Sequence, residues 1–208
     1  EILAHIGTLF PNKPTILYRN YPDFKLPSMP INDNKSDKIK IVYAGLLGIA
    51  QGILRLCQEL NYSTIEFHIY GTGAEQLPIK NFIKKHPELP IVYHGEVSRD
   101  VLHQELLKYD LGIIPLLHRI YGSVPSKMFE YAKLGLPMLY FGGGEGETIV
   151  SDYELGWVAK AGDYNSLNKT LLTIEKSELN QNLKEKIKTS AKLHFDFKKQ
   201  MDILVDQL

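Results

Sequence analysis

The stretch "KIKIVYAG", residues 38–45, contains a run of apolar and aromatic side chains at residues 41–44 and ends in a glycine. Such a run is typical of a strand in a parallel sheet, because both faces of a parallel sheet are buried. A helical pattern follows at residues 49–60, and a second strand pattern, "TIEFHIYG", occupies residues 64–71. The sequence therefore predicts parallel strands that are joined by helices.

The same alternation continues along the chain, with a helical pattern that reaches about residue 85. The further strand patterns are "IVYHG" (91–95), "LGIIPL" (111–116), "PMLYFG" (137–142) and "GWVAKAG" (156–162). The helical patterns between them cover about residues 99–108, 126–134 and 164–174. We expect an α/β fold: a doubly wound, Rossmann-like parallel sheet of about six strands with helices on both faces.

Three regions of the chain differ in composition. Residues 37–176 carry the alternating pattern, and residues 177–208 form a Lys- and Leu-rich stretch that predicts one or two helices. Residues 1–36 hold five prolines and no helical period, with "TILYRN" (15–20) as a candidate short strand. We interpret them as a linker from an upstream domain, with the polar "NDNKSDK" (32–38) as the junction. Because the chain begins with glutamate rather than methionine, we expect a fragment that lacks this domain.

Composition excludes several classes of function. The chain carries 24 basic and 24 acidic residues, so it lacks the positive charge that nucleic-acid binding needs. Its single cysteine, Cys57, rules out an internal disulfide and suits a reducing compartment. No apolar run approaches the ~18 residues that span a bilayer, and no signal peptide is visible. The histidines are scattered, and neither a metal-ligand cluster nor a nucleophilic triad shows its usual spacing.

Glycine-rich or polar loops follow five of the predicted strands. These loops are "AGLLGIAQG" (44–52), "YGTGAEQ" (70–76), "HGEVSRD" (94–100), "LLHRIYGSVPSK" (116–127) and "FGGGEGE" (141–147). In an open parallel sheet, ligands bind outside the carboxyl ends of the strands, where glycine allows close approach and helix N-termini present N–H groups to anions. One such loop can simply end a strand, but five together favour a nucleotide-type ligand. The loops carry neither the G-x-G-x-x-G dinucleotide pattern nor a P-loop.

Four motifs together resemble a known family. "VYAGLLGIAQG" (42–52), "FHIYGTGAE" (67–75), "HGEVSRDVL" (94–102) and "PSKMFEYAKLGLP" (125–137) are similar to motifs of the C-terminal, nucleotide-sugar-binding half of retaining glycosyltransferases with the GT-B fold. The resemblance is strongest to the group 1, family-four type that builds bacterial surface polysaccharides. It covers residues 38–174, with all motifs in the order of the family.

The resemblance implies a role for each motif. Glu130 corresponds to the glutamate that holds the ribose hydroxyls of the donor, and a carboxylate can accept two hydrogen bonds from such a diol. Ser126 and Lys127 begin the same predicted helix, where hydroxyl, cation and N–H groups would converge on a diphosphate. Residues 95–98 would present backbone groups to the nucleobase. Two alternatives stay open: Ser126 as an ordinary helix cap and Glu130 as a solvent-facing residue.

The expected donor-binding set extends over all of these loops. It contains Gly45, Leu46, Leu47, Gly48, Gly71, Gly73, Gly95, Glu96, Val97, Ser98, Arg99, Tyr121, Gly122, Pro125, Ser126, Lys127 and Glu130. Lys127 and Arg119 are the expected catalytic cations, although a free surface arginine is an equal alternative for Arg119.

One residue and one loop depart from the family pattern. Gly122 stands eight positions before Glu130, where relatives carry a second acid that contacts the transferred sugar, so sugar recognition must differ here. The loop "GLLGIAQG" (45–52) carries none of the charges that relatives keep there. Lys127, Arg119 and helix dipoles must then meet the diphosphate, with Arg99 as a further candidate.

The resemblance implies a glycosyltransferase donor-binding domain, which holds a nucleoside-diphosphate sugar for transfer to a polysaccharide or lipid-linked acceptor. Its share of catalysis would be stabilisation of the leaving nucleoside diphosphate, while the acceptor side would lie in the missing N-terminal half. We expect no metal or other cofactor and no nucleic-acid partner. The expected location is cytoplasmic, at the inner face of the membrane if the missing half makes a peripheral contact there.

The fragment alone should bind nucleotide and be inactive or nearly so. A sugar-nucleotide epimerase of the same fold and a non-catalytic nucleotide-binding module remain the alternatives. The sequence leaves the base, the sugar and the acceptor open, with uridine and guanosine diphosphate as the common carriers of the family.

Overall fold

This computed structural model describes residues 1–28 and 36–206 of the chain. The strands are β1 (Ile39–Ala44), β2 (Ile65–Tyr70), β3 (Ile91–Gly95), β4 (Leu111–Pro115), β5 (Met138–Phe141) and β6 (Gly156–Val158). They form one parallel sheet in the order β3-β2-β1-β4-β5-β6. The predicted Rossmann-like sheet is confirmed, and its strand order reverses between β1 and β4.

Helices accompany the sheet throughout the described residues. They are α1 (Ile2–Leu9), α2 (Ile53–Glu59), α3 (Gln76–Lys85), α4 (Arg99–Leu106), α5 (Lys127–Leu134), α6 (Glu145–Asp152), α7 (Tyr164–Thr173), α8 (Gln181–Phe195) and α9 (Phe197–Val205). A 3₁₀ turn at Lys176–Glu178 precedes α8. Most predicted helices are confirmed within a few residues at either end.

Three elements differ from the sequence-based expectation. The α2 helix begins at Ile53 rather than at residue 49, because Gly52 has a left-handed backbone with φ of 62° and closes a turn. The α6 helix lies where only a loop was expected, since three consecutive glycines at residues 142–144 obscure its start. The last strand, β6, ends at Val158 rather than at residue 162.

The N-terminal region contains a helix, contrary to expectation. The prediction failed because the prolines of residues 11–30 indicated a linker, although Ile2, Ile6 and Leu9 stand at helical spacing. None of the eight residues of α1 is buried. Residues 15–20 form no strand; instead, Arg19 N donates to Gln200 Oε1 over 2.6 Å. Of the expected junction, residues 32–35 lie outside the described residues. The three domain boundaries stay predictions.

Both faces of the sheet are buried, as the apolar strands predicted. Along β1, Ile41 and Tyr43 pack into one apolar layer, while Val42 and Ala44 pack into the other, together with Phe195 of α8. This alternation follows from the opposite directions of successive side chains in a strand. Because full burial of such a side chain is worth about 1.5–3 kcal/mol, β1 is a firm anchor for the loop that follows it.

Candidate functional site

The loops after β1 and β2 pack against each other at the edge where the strand order reverses. Gly71 has φ of 126°, and a Cβ at this residue would lie 1.9 Å from Gly45 O. A Cβ at Gly73 would lie 2.6 Å from Leu47 O, and Leu47 N donates to Thr72 O over 2.8 Å. Both glycines are therefore required for the contact between the two loops.

Leu47 and Gly48, two residues that were expected to contact the sugar donor, instead stabilise these loops. The Leu47 side chain is fully buried in the core, and its backbone N and O both bind the neighbouring loop. Gly48 faces Gln51, whose Oε1 would lie 2.6 Å from an added Cβ. The same loop is held by Tyr43, whose hydroxyl donates to Leu46 O over 2.6 Å. Of the predicted donor contacts Leu46, Leu47 and Gly48, Leu46 lines the cavity described next, and the other two do not.

A cavity of about 280 Å³ lies between the loops after β1, β2 and β3 and the start of α5. Six residues of the predicted donor-binding set line it: Gly45, Leu46, Gly71, Glu96, Val97 and Lys127. Its volume lies near the lower end of the range for small-molecule sites. A Cβ on Gly45 would lie 3.8 Å from Lys127 Cε. The fold thus brings the β1 loop and the start of α5 together, as the doubly wound topology predicted.

Three lining residues were not foreseen from the sequence: Tyr70, Thr72 and Leu102. Tyr70 is the last residue of β2, and its ring stacks on that of His94 with 4.3 Å between the ring centroids. Thr72 stands between two glycines, a position that could have marked it as close to a ligand. Leu102 lies one helical turn after Ser98, so helical spacing from the "GEVSR" loop could have identified it.

Glu130 is a buried carboxylate of α5 with partners on two helices. His103 Nε2 lies 2.6 Å from Glu130 Oε1, and Lys127 Nζ lies 2.7 Å from Oε2. Burial raises the pKa of the Glu130 carboxyl, but the Lys127 charge and the hydrogen bonds from Lys127 and His103 outweigh it, so this pKa lies below its ordinary value of 4.5. The side chain is 9% exposed, so the alternative of a solvent-facing glutamate is contradicted. Glu130 is an ionised acceptor near neutral pH.

The start of α5 has no side-chain cap. Ser126 has helical backbone angles, φ −60° and ψ −25°, and its side chain makes no capping hydrogen bond, so the alternative of an ordinary Ser126 cap is contradicted. Ser126 is exposed and lines a hollow of about 390 Å³ together with Arg99 and Glu130. Pro125 and Lys127 line another cavity, of about 160 Å³, beside the β1 loop.

The N-terminus of α2 already holds a carboxylate. Glu75 Oε2 accepts hydrogen bonds from Ile53 N over 2.7 Å and from Leu54 N over 3.3 Å. A second anion there would be repelled by Glu75, whereas the first turn of α5 carries the Lys127 ammonium. Of the two helix N-termini beside the strand-order reversal, α5 therefore suits a diphosphate better than α2.

The second predicted cation lies in a different place. The Arg119 guanidinium and Gly122 N both bind the Glu1 carboxylate, with 2.8 Å between Gly122 N and Glu1 Oε2. Tyr121 OH donates to Glu1 O over 3.4 Å. Arg119 lines a polar hollow of about 500 Å³ beside the start of α6. The structure does not bring Arg119, Tyr121 and Gly122 to the cavity that contains the α5 cation.

The remaining predicted residues of the loop after β3 do not line that cavity. Gly95 O accepts a hydrogen bond from Gly71 N over 2.8 Å, which ties the loop to its neighbour. Ser98 immediately precedes α4 and is exposed. Arg99 points instead to Glu130, with Nε 3.9 Å from Oε1.

Three other kinds of feature could contribute to function: a metal site, a membrane-spanning helix and a reactive cysteine. Among residues 1–28 and 36–206, no group of three or more His, Cys, Asp or Glu side chains is arranged to hold a metal ion. Over the same ranges, no helix has both the length and the apolar character to cross a membrane. Burial, assisted by the Glu75 charge, raises the pKa of the Cys57 thiol to about 12, which leaves it a core residue.

Comparison with known families and structures agrees on one fold. Residues 27–194 match the family described as glycosyl transferases group 1. No curated protein matches the chain. Among solved structures, TarM from S. aureus shares 13% identity, with a TM-score of 0.69 over 98% of this chain and 41% of TarM. The lipopolysaccharide outer core galactosyltransferase WaaB shares 14% identity, with a TM-score of 0.69 over 91% of this chain and 56% of WaaB.

A third structure shows which part of such proteins the chain resembles. The C-terminal domain of LpcC, a glycosyl transferase group 1 family protein from Francisella tularensis, shares 12% identity, with a TM-score of 0.60 over 76% of this chain and 87% of that domain. The chain spans only 41% of TarM and 56% of WaaB. It therefore has the fold of a GT-B-type C-terminal domain. Since the family match extends over most of its length, the chain belongs to the group 1 family of glycosyl transferases.

Proposed function

We propose that the chain is the donor-binding domain of a glycosyltransferase, with the nucleoside diphosphate of a sugar donor in the cavity between the strand ends and α5. One observation carries this proposal. Lys127 and Glu130, an ammonium and a buried ionised carboxylate, lie 2.7 Å apart, and Lys127 lines the cavity beside Gly45 and Gly71. A nucleoside diphosphate needs a cation for its phosphates and a hydrogen-bond acceptor for its ribose hydroxyls, and the first turn of α5 carries one of each.

The diphosphate lies between the β1 loop and the first turn of α5. Lys127 supplies the positive charge, because the β1 loop is uncharged and Glu75 occupies the N-terminus of α2. Gly45 and Gly71 have no side chains, so their backbone allows the phosphates to approach. Charge on the departing diphosphate is stabilised by the ammonium and by α5 N–H groups.

The nucleoside occupies the remainder of the cavity and extends to the neighbouring hollow that Glu130 lines. Glu130 accepts hydrogen bonds from the ribose hydroxyls, a task for which an ionised carboxylate with two oxygens is suited. The backbone of Glu96 and Val97 reads the edge of the base, while Leu102 offers an apolar surface to its face. The TarM structure contains UDP, which supports a uridine carrier for this chain as well.

The reaction of the whole protein is transfer of a hexose with retention of configuration, to a polysaccharide or glycolipid of the bacterial surface. WaaB is named for the lipopolysaccharide outer core, which supports an acceptor of this type. The acceptor side lies in an N-terminal half, so the isolated chain binds nucleotide but is inactive or nearly so. Donor binding needs no metal, and the protein works in the cytoplasm, at the inner face of the membrane if the other half contacts it.

The test is a panel of nucleoside diphosphates and their sugars, with binding to the chain measured by thermal shift and then calorimetry. We expect one base to be preferred, and its diphosphate to bind much more tightly than its nucleoside. Failure of every nucleoside diphosphate to bind would overturn the proposal. With the full-length protein, transfer of a labelled sugar to an acceptor separates a transferase from an epimerase and from a non-catalytic module.

A further inference from the structure

Glu130 needs a second partner if Lys127 binds a diphosphate. The Lys127 side chain is 31% exposed and lines the cavity, whereas that of Glu130 is 9% exposed. A diphosphate attracts the ammonium more strongly than one carboxylate does, because it carries more negative charge. A buried carboxylate that loses its cation takes up a proton unless another donor holds it ionised. The ribose contact therefore requires a donor that the ligand cannot draw away.

His103 is such a donor. It is 3% exposed, and its Nε2 lies 2.6 Å from Glu130 Oε1. An ionised carboxylate only accepts hydrogen bonds, so this nitrogen carries a proton. Arg99, the other basic group nearby, is 61% exposed, and its Nε is 3.9 Å from the same oxygen, beyond hydrogen-bond range. His103 thus remains beside the carboxylate when the exposed cations turn to a ligand.

The N-terminal segment holds the His103 ring in place. Phe24 stacks on this ring, with 3.9 Å between the ring centroids and 29° between the ring planes. Lys133 Nζ lies 4.6 Å from the centre of the Phe24 ring and donates to Pro22 O over 2.8 Å. Because Lys133 belongs to α5, the segment is tied to the helix that carries Glu130. The His103 ring is therefore packed on one face and hydrogen-bonded at its edge.

We propose that His103 is a positioning residue of the donor site, with Phe24 as its support. It donates from Nε2 to Glu130 Oε1 and keeps the carboxylate ionised and aimed while Lys127 moves to the diphosphate. Glu130 Oε2 is then released to accept hydrogen bonds from the ribose hydroxyls. This inference rests on the proposed function and adds to it one residue from α4 and one from the N-terminal segment.

The experiment compares His103→Leu with His103→Gln, because the glutamine amide can place a donor where Nε2 stands and leucine cannot. Calorimetry measures the affinity for uridine diphosphate and for its 2′,3′-dideoxy form, or for the guanosine pair if that binds more tightly. The wild type should prefer the ribose form by about tenfold or more. The His103→Leu variant should lose most of this preference, and His103→Gln should keep it.

Two results would overturn the inference: His103→Leu keeps the ribose preference, or it weakens both nucleotides equally with no recovery in His103→Gln. A measurement on the wild type covers the case in which His103→Leu does not fold. With ¹⁵N-labelled histidine, the NMR spectrum should show His103 protonated at Nε2 with and without nucleotide, and an unprotonated Nε2 would contradict the proposal. If the wild type binds no nucleoside diphosphate, the proposed function fails too. If Glu130→Gln loses the ribose preference while His103→Leu keeps it, only this inference fails.

Discussion

Lys127 and Glu130 form an ion pair on the first turn of α5, with 2.7 Å between Nζ and Oε2. The two members differ in freedom, because the lysine side chain is 31% exposed and the glutamate side chain is 9% exposed. The ammonium can leave the pair for a ligand, whereas the carboxylate stays where α4 and α5 hold it. In the proposed site, contacts to the phosphates and to the ribose are therefore linked through one pair of residues, and each can be tested separately.

Glu130→Gln should weaken the binding of a nucleoside diphosphate without unfolding the domain. The loss of hydrogen bonds from a diol to a charged acceptor costs about 1.5–3 kcal/mol, or roughly 10- to 150-fold in affinity. Calorimetry with the preferred nucleotide measures the change, and a melting curve checks the fold. Glu59→Gln, which changes an exposed acid of α2, is the matched control and should bind like the wild type. An unchanged affinity of Glu130→Gln would remove the ribose role.

Lys127→Ala should weaken the binding of a nucleoside diphosphate far more than that of the bare nucleoside. The cavity lies beside an uncharged β1 loop, so in the proposed site Lys127 compensates the charge of the phosphates. The affinity of the wild type for the diphosphate should also fall as salt is added, because the interaction is between charges. Competition binding of the diphosphate and the nucleoside at two salt concentrations provides both numbers.

Arg119→Ala serves as the matched control for Lys127→Ala. Arg119 binds Glu1 and lies outside the cavity, so its removal should change the affinity of the chain for the diphosphate by no more than about twofold. A strong and selective loss in Arg119→Ala would restore Arg119 as a diphosphate cation. Equal weakening of nucleoside and diphosphate by Lys127→Ala would show that Lys127 has a structural role instead.

Donor binding should survive removal of divalent metal ions. In the proposed site, Lys127 and the first turn of α5 meet the charge of the diphosphate, so no metal is needed to bridge it. Titrations with and without a strong chelator should give the same affinity. A large loss with the chelator, recovered by magnesium or manganese, would show that a metal ion takes part.

The sheet and part of the site could be predicted from the sequence because each depends on local pattern. Strand β1 is recognisable in the sequence because both of its faces are buried, which gives a continuous apolar run. Lys127 and Glu130 stand three residues apart on one helix, and this spacing places them on the same face. The helix α1 was missed because the prolines that follow it indicated a linker, although its apolar residues stand at helical spacing. The α6 helix was hidden by the glycines that precede it.

Contacts between elements that are distant in the sequence could not be predicted from local patterns. The His103 contact with Glu130 joins α4 to α5, and nothing in the spacing of 27 residues marks the pair. The Glu75 carboxylate at the start of α2 is a similar case, since it depends on how the β2 loop packs on the β1 loop. Arg119 looked like a diphosphate cation from its position in the chain, but the turn that follows β4 directs it to Glu1.

The stability that Glu130 contributes should depend on pH in one direction. Its pKa in the folded chain is below the ordinary value of 4.5, so its contribution is fully present above pH 4.5 and is lost as the pH falls through the lower, folded-state value. The difference in unfolding free energy between the wild type and Glu130→Gln should therefore stay constant from neutral pH down to about 4.5 and shrink below it. Denaturant unfolding over this range measures it. A difference that already shrinks near neutral pH would point to another titrating group.

Gly71→Ala should damage both stability and nucleotide binding, because a Cβ there would meet backbone rather than a movable side chain. The added atom would lie 1.9 Å from Gly45 O, so the β1 and β2 loops would have to separate. Gly95→Ala is the matched control: its φ is also positive, at 81°, but nothing lies within 4 Å of an added Cβ. Gly95→Ala should lower the free energy of unfolding only by the strain of a left-handed residue, about 1–2 kcal/mol. Gly71→Ala should lower it by more. Denaturant unfolding and calorimetry on both variants measure the difference, and equal losses of stability would show that the loop contact is not the limiting feature.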